Sequence, residues 1–286
     1  MQVNTRSEVR EFLASRRARL TPEQVGLPLY GLTRRVGGLR REEVALLAGV
    51  SVDYYNRVER GNLKGVSESV LNALARALRL DEAERAHLFD LASTANATVG
   101  TERRVPLRQK VRPGVQTVLD ALAGPACVRN HRLDILAANT LARALYSPAF
   151  DDHAPPPNTA RFAFLDARAR TFYRDWDRIA TDTVGVLRAE AGRNPFDKGL
   201  TDLVGELCSR SPDFRTRWAA HNVQSHRGGN KCFHHPVVGD LDLSYETLEF
   251  PSDPGLTLLV YAAEPESSSQ HALNRLATWP VSLHCE

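Results

Sequence analysis

Residues 41–61 read REEVALLAGVSVDYYNRVERG, two short helical segments joined by a turn of small residues. Ala45 falls where the second helix crosses closest, so a larger side chain there would force the pair apart. Gly49 suits the left-handed backbone that ends a helix. Ser51 is placed to cap the second helix by accepting a backbone N–H. Val44, Ala48, Val50, Tyr55 and Val58 fall where the pair and its supports bury apolar surface. Val52, Asp53, Tyr54, Asn56 and Arg57 are left facing outward. In a helix-turn-helix, the N-terminal part of the second helix meets base edges in the major groove. Asn pairs with adenine and Arg with guanine, while Val or Tyr touches a thymine methyl. Asp53 is repelled by phosphate and reads as support for the helix N-terminus or for an arginine, with cytosine contact the lesser option.

Phosphate contacts are expected around this face. Arg40 and Arg41 open the preceding helix, whose N–H groups already favour an anion. Arg34 and Arg35 of the upstream connector suit the same role, as does Ser51 at the turn, and Arg60 and Lys64 follow the backbone past the second helix. The competing reading is a helical bundle that never meets DNA, with Arg34 and Arg35 as ordinary solvated charges.

Charge supports a polyanion partner. The net charge is +3 overall, but residues 1–112 carry 20 Lys/Arg against 13 Asp/Glu, whereas residues 113–286 carry 17 against 21. A basic front half thus precedes an acidic back half. At 286 residues, two domains are expected. No run of about 18 apolar residues occurs, so no membrane span is expected. MQVNTRSEVREF lacks the apolar stretch of a signal peptide. Cys127, Cys208, Cys232 and Cys285 lie far apart with no C-x-x-C pair, which agrees with a reducing compartment and a cytoplasmic location. Only Lys64, Lys110, Lys198 and Lys231 are lysine, a bias that with many alanines points to a GC-rich bacterial genome.

Working outward from residues 41–61, a helix is predicted over 7–19, with Ser7 as a candidate N-cap. Helices are also predicted over about 40–48, 52–60, 67–79 and 82–93, the last opening at Asp81 with Glu84 three residues later. The fourth places Val70, Leu71, Leu74, Ala75 and Leu78 on one face. Residues 1–93 therefore form an all-α unit of five helices, and the polar, basic residues 94–113 read as a linker. Residues 114–286 change texture. PGVQTVLDALA is a short amphipathic helix, and ACVRN and LDILAAN are two brief strands, with a helix starting near Asn139. Residues 147–158 read as an irregular loop, and helical stretches fill about 159–222. Three strands follow over about 231–238, 241–250 and 256–263, then a helix over about 268–278. In LDLSYE, Leu241, Leu243 and Tyr245 alternate with polar residues, and LTLLVYAA reads as a central strand. The back unit is α+β, with an antiparallel sheet covered by helices.

GLTRRVGGLRREEVALLAGVSVDYYNRVERGNL and SVLNALARALRLDEAERAHLFDLA resemble the lambda-repressor-like, Xre-type helix-turn-helix of bacterial transcription regulators. The branch most similar carries an MmyB-like ligand-binding domain. VRPGVQTVLDALAGPACVRN, DILAANTLARALY, ARFAFLDARAR, SPDFRTRWAAHNV and FHHPVVGDLDLSYETLEFP resemble that domain, so the likeness runs over roughly residues 8–265. The resemblance implies a PAS-like C-terminal fold with a cavity for a fatty-acyl or similar apolar ligand. Many relatives read R-V-P-G-L where this chain reads RVGGL; Gly37 in place of proline loosens the connector.

A cavity in the back half would draw on large side chains between helices and sheet. Phe162, Phe164, Phe172, Tyr173, Trp176, Phe196, Phe214 and Trp218 are available, and at helical spacing such residues serve as core more often than as ligand wall. Phe164, Phe172, Trp176 and Trp218 are the pocket candidates, with Tyr245 from the sheet; Arg161, Arg227 and His221 are candidates for a carboxylate head. HNVQSHRGGNKCFHH contains His221, His226, Cys232, His234 and His235. Only the first two have a zinc-like spacing, and Cys232 and His234 project away from His235, so no metal site is expected. G-x-G-x-x-G, P-loop, G-x-S-x-G and H-E-x-x-H motifs are absent, and an enzyme is not expected.

The sequence thus predicts a homodimeric regulator that binds an inverted-repeat operator in double-stranded DNA, without a cofactor, and responds to an apolar small molecule. The alternatives are a helical interaction protein that does not bind DNA, and a DNA-binding regulator whose back domain only dimerises.

Overall fold

The structure is a computed structural model that describes residues 5–27, 37–96, 111–150, 156–224 and 228–279. Its helices are α1 (Thr5–Arg19), α2 (Arg41–Ala48), α3 (Val52–Glu59), α4 (Glu68–Ala77), α5 (Glu82–Asn96), α6 (Pro113–Ala121) and α7 (Thr140–Leu145). They continue with α8 (Ser147–Phe150), α9 (Thr159–Leu165), α10 (Ala169–Phe172), α11 (Trp176–Arg193), α12 (Lys198–Arg210), α13 (Pro212–Ala219) and α14 (Ser268–Ala277). The strands are β1 (Ala126–Asn130), β2 (Ile135–Ala138), β3 (Gly228–His235), β4 (Gly239–Glu249) and β5 (Leu256–Ala262).

Two compact units divide the chain. The first comprises Met1–Arg104, Arg188–Gly205 and Thr216–Ser225, and the second Val105–Leu187, Glu206–Arg215 and His226–Glu286.

In the first unit, helix boundaries follow local chemistry. Ser67 caps α4 by accepting the Val70 N–H at 3.4 Å. Asp81 and Glu84 form a reciprocal cap at the start of α5, with Glu84 N–H to Asp81 Oδ1 at 2.8 Å and Asp81 N–H to Glu84 Oε2 at 3.2 Å. Ser7 is not an N-cap: α1 begins at Thr5, so Ser7 already lies inside it and donates to Glu11 at 3.0 Å. The core gathers Val9, Phe12, Leu13, Val44, Tyr55, Val58, Leu71, Leu74, Leu88 and Leu91, all buried. Val223 joins it, with Ala189 packed against it. Burial of this apolar surface is the main stabilising term.

A group of buried charges accompanies that core. Arg188 donates to the Glu8 carboxylate and to the Trp218 carbonyl, and lies 3.0 Å from His221 Nδ1. Arg16 pairs with Glu84 at 2.9 Å and donates to the His221 carbonyl. Burial alone would raise the Glu8 carboxyl, but the His221, His87 and Arg188 groups around it outweigh that and hold it well below the usual carboxylate range.

The second unit is built on a five-stranded antiparallel sheet in the order β2-β1-β5-β4-β3. Tyr245 stands opposite Tyr261, Lys231 opposite Leu243 and Cys127 opposite Leu259. β5 is therefore a central strand, as its uniformly apolar sequence predicts. Alternation selects the core face: Leu241, Leu243 and Tyr245 point inward with Phe233, Leu259 and Tyr261, against Tyr146, Phe162, Phe172, Tyr173 and Trp176. The opposite face carries a smaller cluster of Leu119 from α6 with Ala126, Val128, Ala137 and Leu256. Asn139 caps α7 at the Ala142 N–H (2.9 Å), accepts the Ala126 N–H at 3.1 Å and donates to the Gly124 carbonyl at 2.8 Å. Within the segment predicted as an irregular loop, residues 147–150 instead form the one-turn helix α8, because Ser147, Pro148 and Ala149 are buried.

Candidate functional site

The turn between α2 and α3 is set by backbone geometry. Gly49 adopts φ 66°, and its neighbour Val50 closes the turn with an N–H to the Ala45 carbonyl at 3.0 Å. Ser51 then caps α3 by accepting the Tyr54 N–H at 3.1 Å. Tyr55 and Val58 are buried completely, while Val52, Asp53 and Arg57 are exposed and Tyr54 and Asn56 half-buried. The outward face is the predicted one.

Asp53, Asn56, Arg57 and Arg60 border one concavity of ≈ 470 Å³, together with Asn62 and Arg6. Three guanidinium groups against one carboxylate make it cationic, and two amides add paired donors and acceptors. The Arg57 guanidinium lies over the Tyr54 ring, 4.8 Å from its centroid, which restricts where that arginine points. Arg6 comes from α1, far upstream. It arrives because Gly61, at φ 90°, lets the chain after α3 run against the α1 backbone: a Cβ at Gly61 would lie 2.3 Å from the Arg6 carbonyl oxygen. The sequence reading missed Arg6 and Asn62. Asn62 was legible as the residue after the α3 turn; Arg6 had no local signal.

The phosphate candidates separate. Ser51 and Lys64 are exposed, and Arg40 is partly exposed with an ion pair to Glu42 at 3.3 Å. Its backbone N–H donates to Glu43 Oε2 at 2.6 Å, which anchors the start of α2. Arg41 is exposed but tethered, donating through Nε to Glu59 Oε1 at 2.9 Å. Glu59 is itself 1% exposed and accepts two bonds from Arg17, at 2.9 and 3.0 Å. Burial would raise this carboxyl, yet hydrogen bonds from Arg17 and Arg41, with the Tyr55 hydroxyl nearby, leave it below its ordinary value. Arg34 and Arg35 lie outside the described residues.

In the second unit, a cavity of ≈ 20 Å³ is bordered by Arg129, Leu133, Thr159, Tyr173, Ile179, Asp182, Thr183, Val186 and Lys231. None of the seven pocket candidates among the described residues borders it. Phe172, Trp176 and Tyr245 pack in the core, and Phe164 packs edge-on to Trp176 and Phe214. Trp176 Nε1 donates to the Ala163 carbonyl at 2.8 Å. Arg161 is paired with Glu206 at 2.8 Å. Trp218 and His221 belong to the first unit, with the Arg188 guanidinium 4.1 Å from the Trp218 ring centroid. Arg227 lies outside the described residues. The ring size that suggested these residues predicts burial, and burial is what most of them have.

Lys231 and Arg129 are instead the cations at the cavity, each 5% exposed. Lys231 Nζ donates to the Tyr261 hydroxyl at 3.1 Å, and that hydroxyl is hydrogen-bonded to Tyr146. Burial, then the nearby Arg129 charge, pushes the Lys231 amine down to about 7. Parity along the strands was the available signal: Lys231 alternates in phase with Phe233, and Arg129 with Cys127, both core residues.

Among the other metal-capable residues, His234 pairs with Asp240 at 2.6 Å and His235 Nε2 bonds the Ala144 carbonyl at 3.0 Å; His226 lies outside the described residues. No helix among the described residues is long and apolar enough to cross a membrane.

Two family models match the chain. One, described as a helix-turn-helix domain, covers residues 8–88, and the other, the MmyB-like transcription regulator ligand binding domain, covers residues 111–276. No curated protein matches it. With the cationic face of α3 inside the first match and the five-stranded sheet inside the second, the chain belongs to the MmyB-like family of DNA-binding transcription regulators.

Proposed function

We propose that this chain is an Xre-type regulator of the bacterial cytoplasm, binding an inverted-repeat operator in double-stranded DNA as a homodimer. The observation that supports sequence-specific binding is the concavity where Asn56 and Arg57 stand beside Arg6 and Arg60. It sets side chains able to read base edges next to side chains able to hold phosphate. In a dimer, two such helices enter successive major grooves about 34 Å apart. Gel shifts at graded salt, on DNA from upstream of the chain's own gene, test this. A preferred, palindromic site is expected; no preferred site at any salt would favour a helical interaction protein instead.

The C-terminal domain, with a sheet and helices read as PAS-like, takes an apolar, fatty-acyl-like molecule that alters DNA binding. The family match and the apolar side chains of Leu133, Ile179 and Val186 at the cavity support this. The ligand acts only through a difference in its affinity for the DNA-competent and incompetent states. No catalytic step is assigned to the chain. A second reading, a domain that only dimerises, is favoured by the size of the cavity, room for about one water. Native mass spectrometry of the purified protein, followed by denaturing extraction, separates the two: a co-purifying small molecule supports the sensor, and none supports the dimerisation module.

A further inference from the structure

We infer that Asp53 is a specificity-determining residue: α3 takes a cytosine amine on the Asp53 carboxylate and a guanine edge on Arg57, in neighbouring base pairs of the operator. This deepens the reading of the first unit as a sequence-specific DNA binder and rests on it. Three observations carry it.

First, Asp53 is exposed and is the one acid among the residues that border the concavity, beside Arg6, Arg57 and Arg60. The nearby glutamates are paired: Glu59 takes Arg17 and Arg41, and Glu42 takes Arg40. Among the described residues, no hydrogen bond or ion pair engages the Asp53 carboxylate. Second, its natural partner is turned elsewhere. An acid four residues ahead of a base is the favourable order for a pair on one helix face, yet the Arg57 guanidinium lies over the Tyr54 ring, 4.8 Å from its centroid. Third, the cap of α3 does not need it, because Ser51 already accepts the Tyr54 N–H at 3.1 Å. Both carboxylate oxygens are therefore left without a protein donor.

A carboxylate offers only acceptors. In the major groove it is repelled by N7 and O6 of guanine and by O4 of thymine, and it accepts from the amine of cytosine. Adenine also carries an amine, but its N7 acceptor lies alongside and opposes the second carboxylate oxygen. Asp53 thus selects cytosine, largely by excluding the other bases. Arg57 has the complementary character, donors that fit guanine O6 and N7. Residues four apart on a helix stand about 5–6 Å from each other, and base pairs follow every ~3.4 Å, so the two side chains reach neighbouring pairs rather than one. The carboxylate is repelled by phosphate at every sequence, and the guanidinium groups of Arg6 and Arg60 oppose that repulsion.

Selection from a randomised duplex library by the full-length protein tests this, with Asp53→Asn and Asp53→Ala as variants and circular dichroism as a check on folding. The wild type is expected to prefer cytosine at one position by about tenfold, with a guanine in the neighbouring pair. Asn pairs with adenine through N6 and N7, so Asp53→Asn should exchange that cytosine for adenine and leave the guanine in place. Asp53→Ala should accept any base there. It should also bind unrelated DNA more tightly, by about twofold or more at low salt, since a charge that repels phosphate is gone. A carboxylate that only supports the start of α3 would give neither result, and its loss would weaken binding to all sequences alike. A preferred site that both variants keep unchanged, a uniform weakening in both, or a base other than cytosine at the altered position overturns the assignment to Asp53 while DNA binding stands. No preferred site for the wild type removes the DNA-binding reading, and the cytosine contact with it.

Discussion

Arg17 grips Glu59 with two parallel bonds, Nε to Oε2 at 2.9 Å and Nη2 to Oε1 at 3.0 Å, and so ties α3 to α1. The same guanidinium donates to the Leu39 carbonyl at 2.8 Å just ahead of α2. Removing one partner of a buried pair leaves the other uncompensated, so Arg17→Met should cost about 3–5 kcal/mol in urea unfolding. Arg41→Ala removes a half-exposed partner of the same carboxylate and should cost about 1 kcal/mol or less. Equal losses would mean that Glu59 does not organise this corner.

The parts of the fold that were readable in advance are those set by neighbours in sequence. Ala45, Gly49, Ser51 and Tyr55 each act within one or two helical turns, and the structure places them as their chemistry predicts. Arg6 was not readable, because its approach to α3 depends on the tertiary contact at Gly61. Nor was the tie on Arg41: an arginine at a helix start suggests a phosphate, and Glu59 reads as an ordinary helix charge until folding buries it. In the second unit, bulk pointed to Phe172 and Trp176, which close the core, while the charged residues at the cavity showed only in their strand parity with Phe233 and Cys127, a signal that side-chain size does not carry.

Contact class should separate in binding assays. Asn56→Ala and Arg57→Ala should each relax preference at one base pair, at a cost of about 1–3 kcal/mol on the best site. Arg60→Ala should weaken binding to every sequence alike and lower the slope of log affinity against log salt by about one. Competition binding on a randomised site library at two salt concentrations measures both. Uniform loss for all three would remove base reading from α3.

Gly61→Ala tests how Arg6 reaches the site. The residue sits at φ 90°, and an added Cβ would lie 2.3 Å from the Arg6 carbonyl oxygen, so α1 and the end of α3 must move apart. A stability loss of at least about 1 kcal/mol is expected from the backbone alone. Arg6→Ala should leave stability nearly unchanged and weaken DNA binding. If Gly61→Ala binds DNA as the wild type does, Arg6 is not a contact.

Glu8 should make the first unit acid-labile. Its carboxyl is depressed in the folded chain, so its contribution is complete above the ordinary carboxylate value of 4.5 and drains away as pH falls below it. Thermal melts between about pH 6 and pH 3 should fall more steeply for the wild type than for Glu8→Gln. At pH 7 the variant should be less stable by about 3–5 kcal/mol, since Arg188 is left buried without its carboxylate. A variant with the wild-type pH profile would assign the acid sensitivity elsewhere.

Lys231 has the opposite sign. Its folded value of about 7 lies below the ordinary 10.5, because burial and then Arg129 disfavour the charged amine. Between those values the unfolded chain binds the extra proton, so stability rises with pH, by up to about 1.4 kcal/mol per unit. Below about 7 the penalty is complete. Without ligand, wild-type melting temperature should therefore climb from about pH 7 to pH 9, and Lys231→Met should show a flatter profile. At about pH 6 the methionine variant should melt higher than the wild type, since an apolar side chain replaces a buried charge that meets the Tyr245 and Tyr261 rings and the field of Asp182 but forms no ion pair among the described residues. A wild-type profile flat from pH 6 to pH 9 would mean that Lys231 keeps its proton without help, and that the cavity is wetter than its walls suggest.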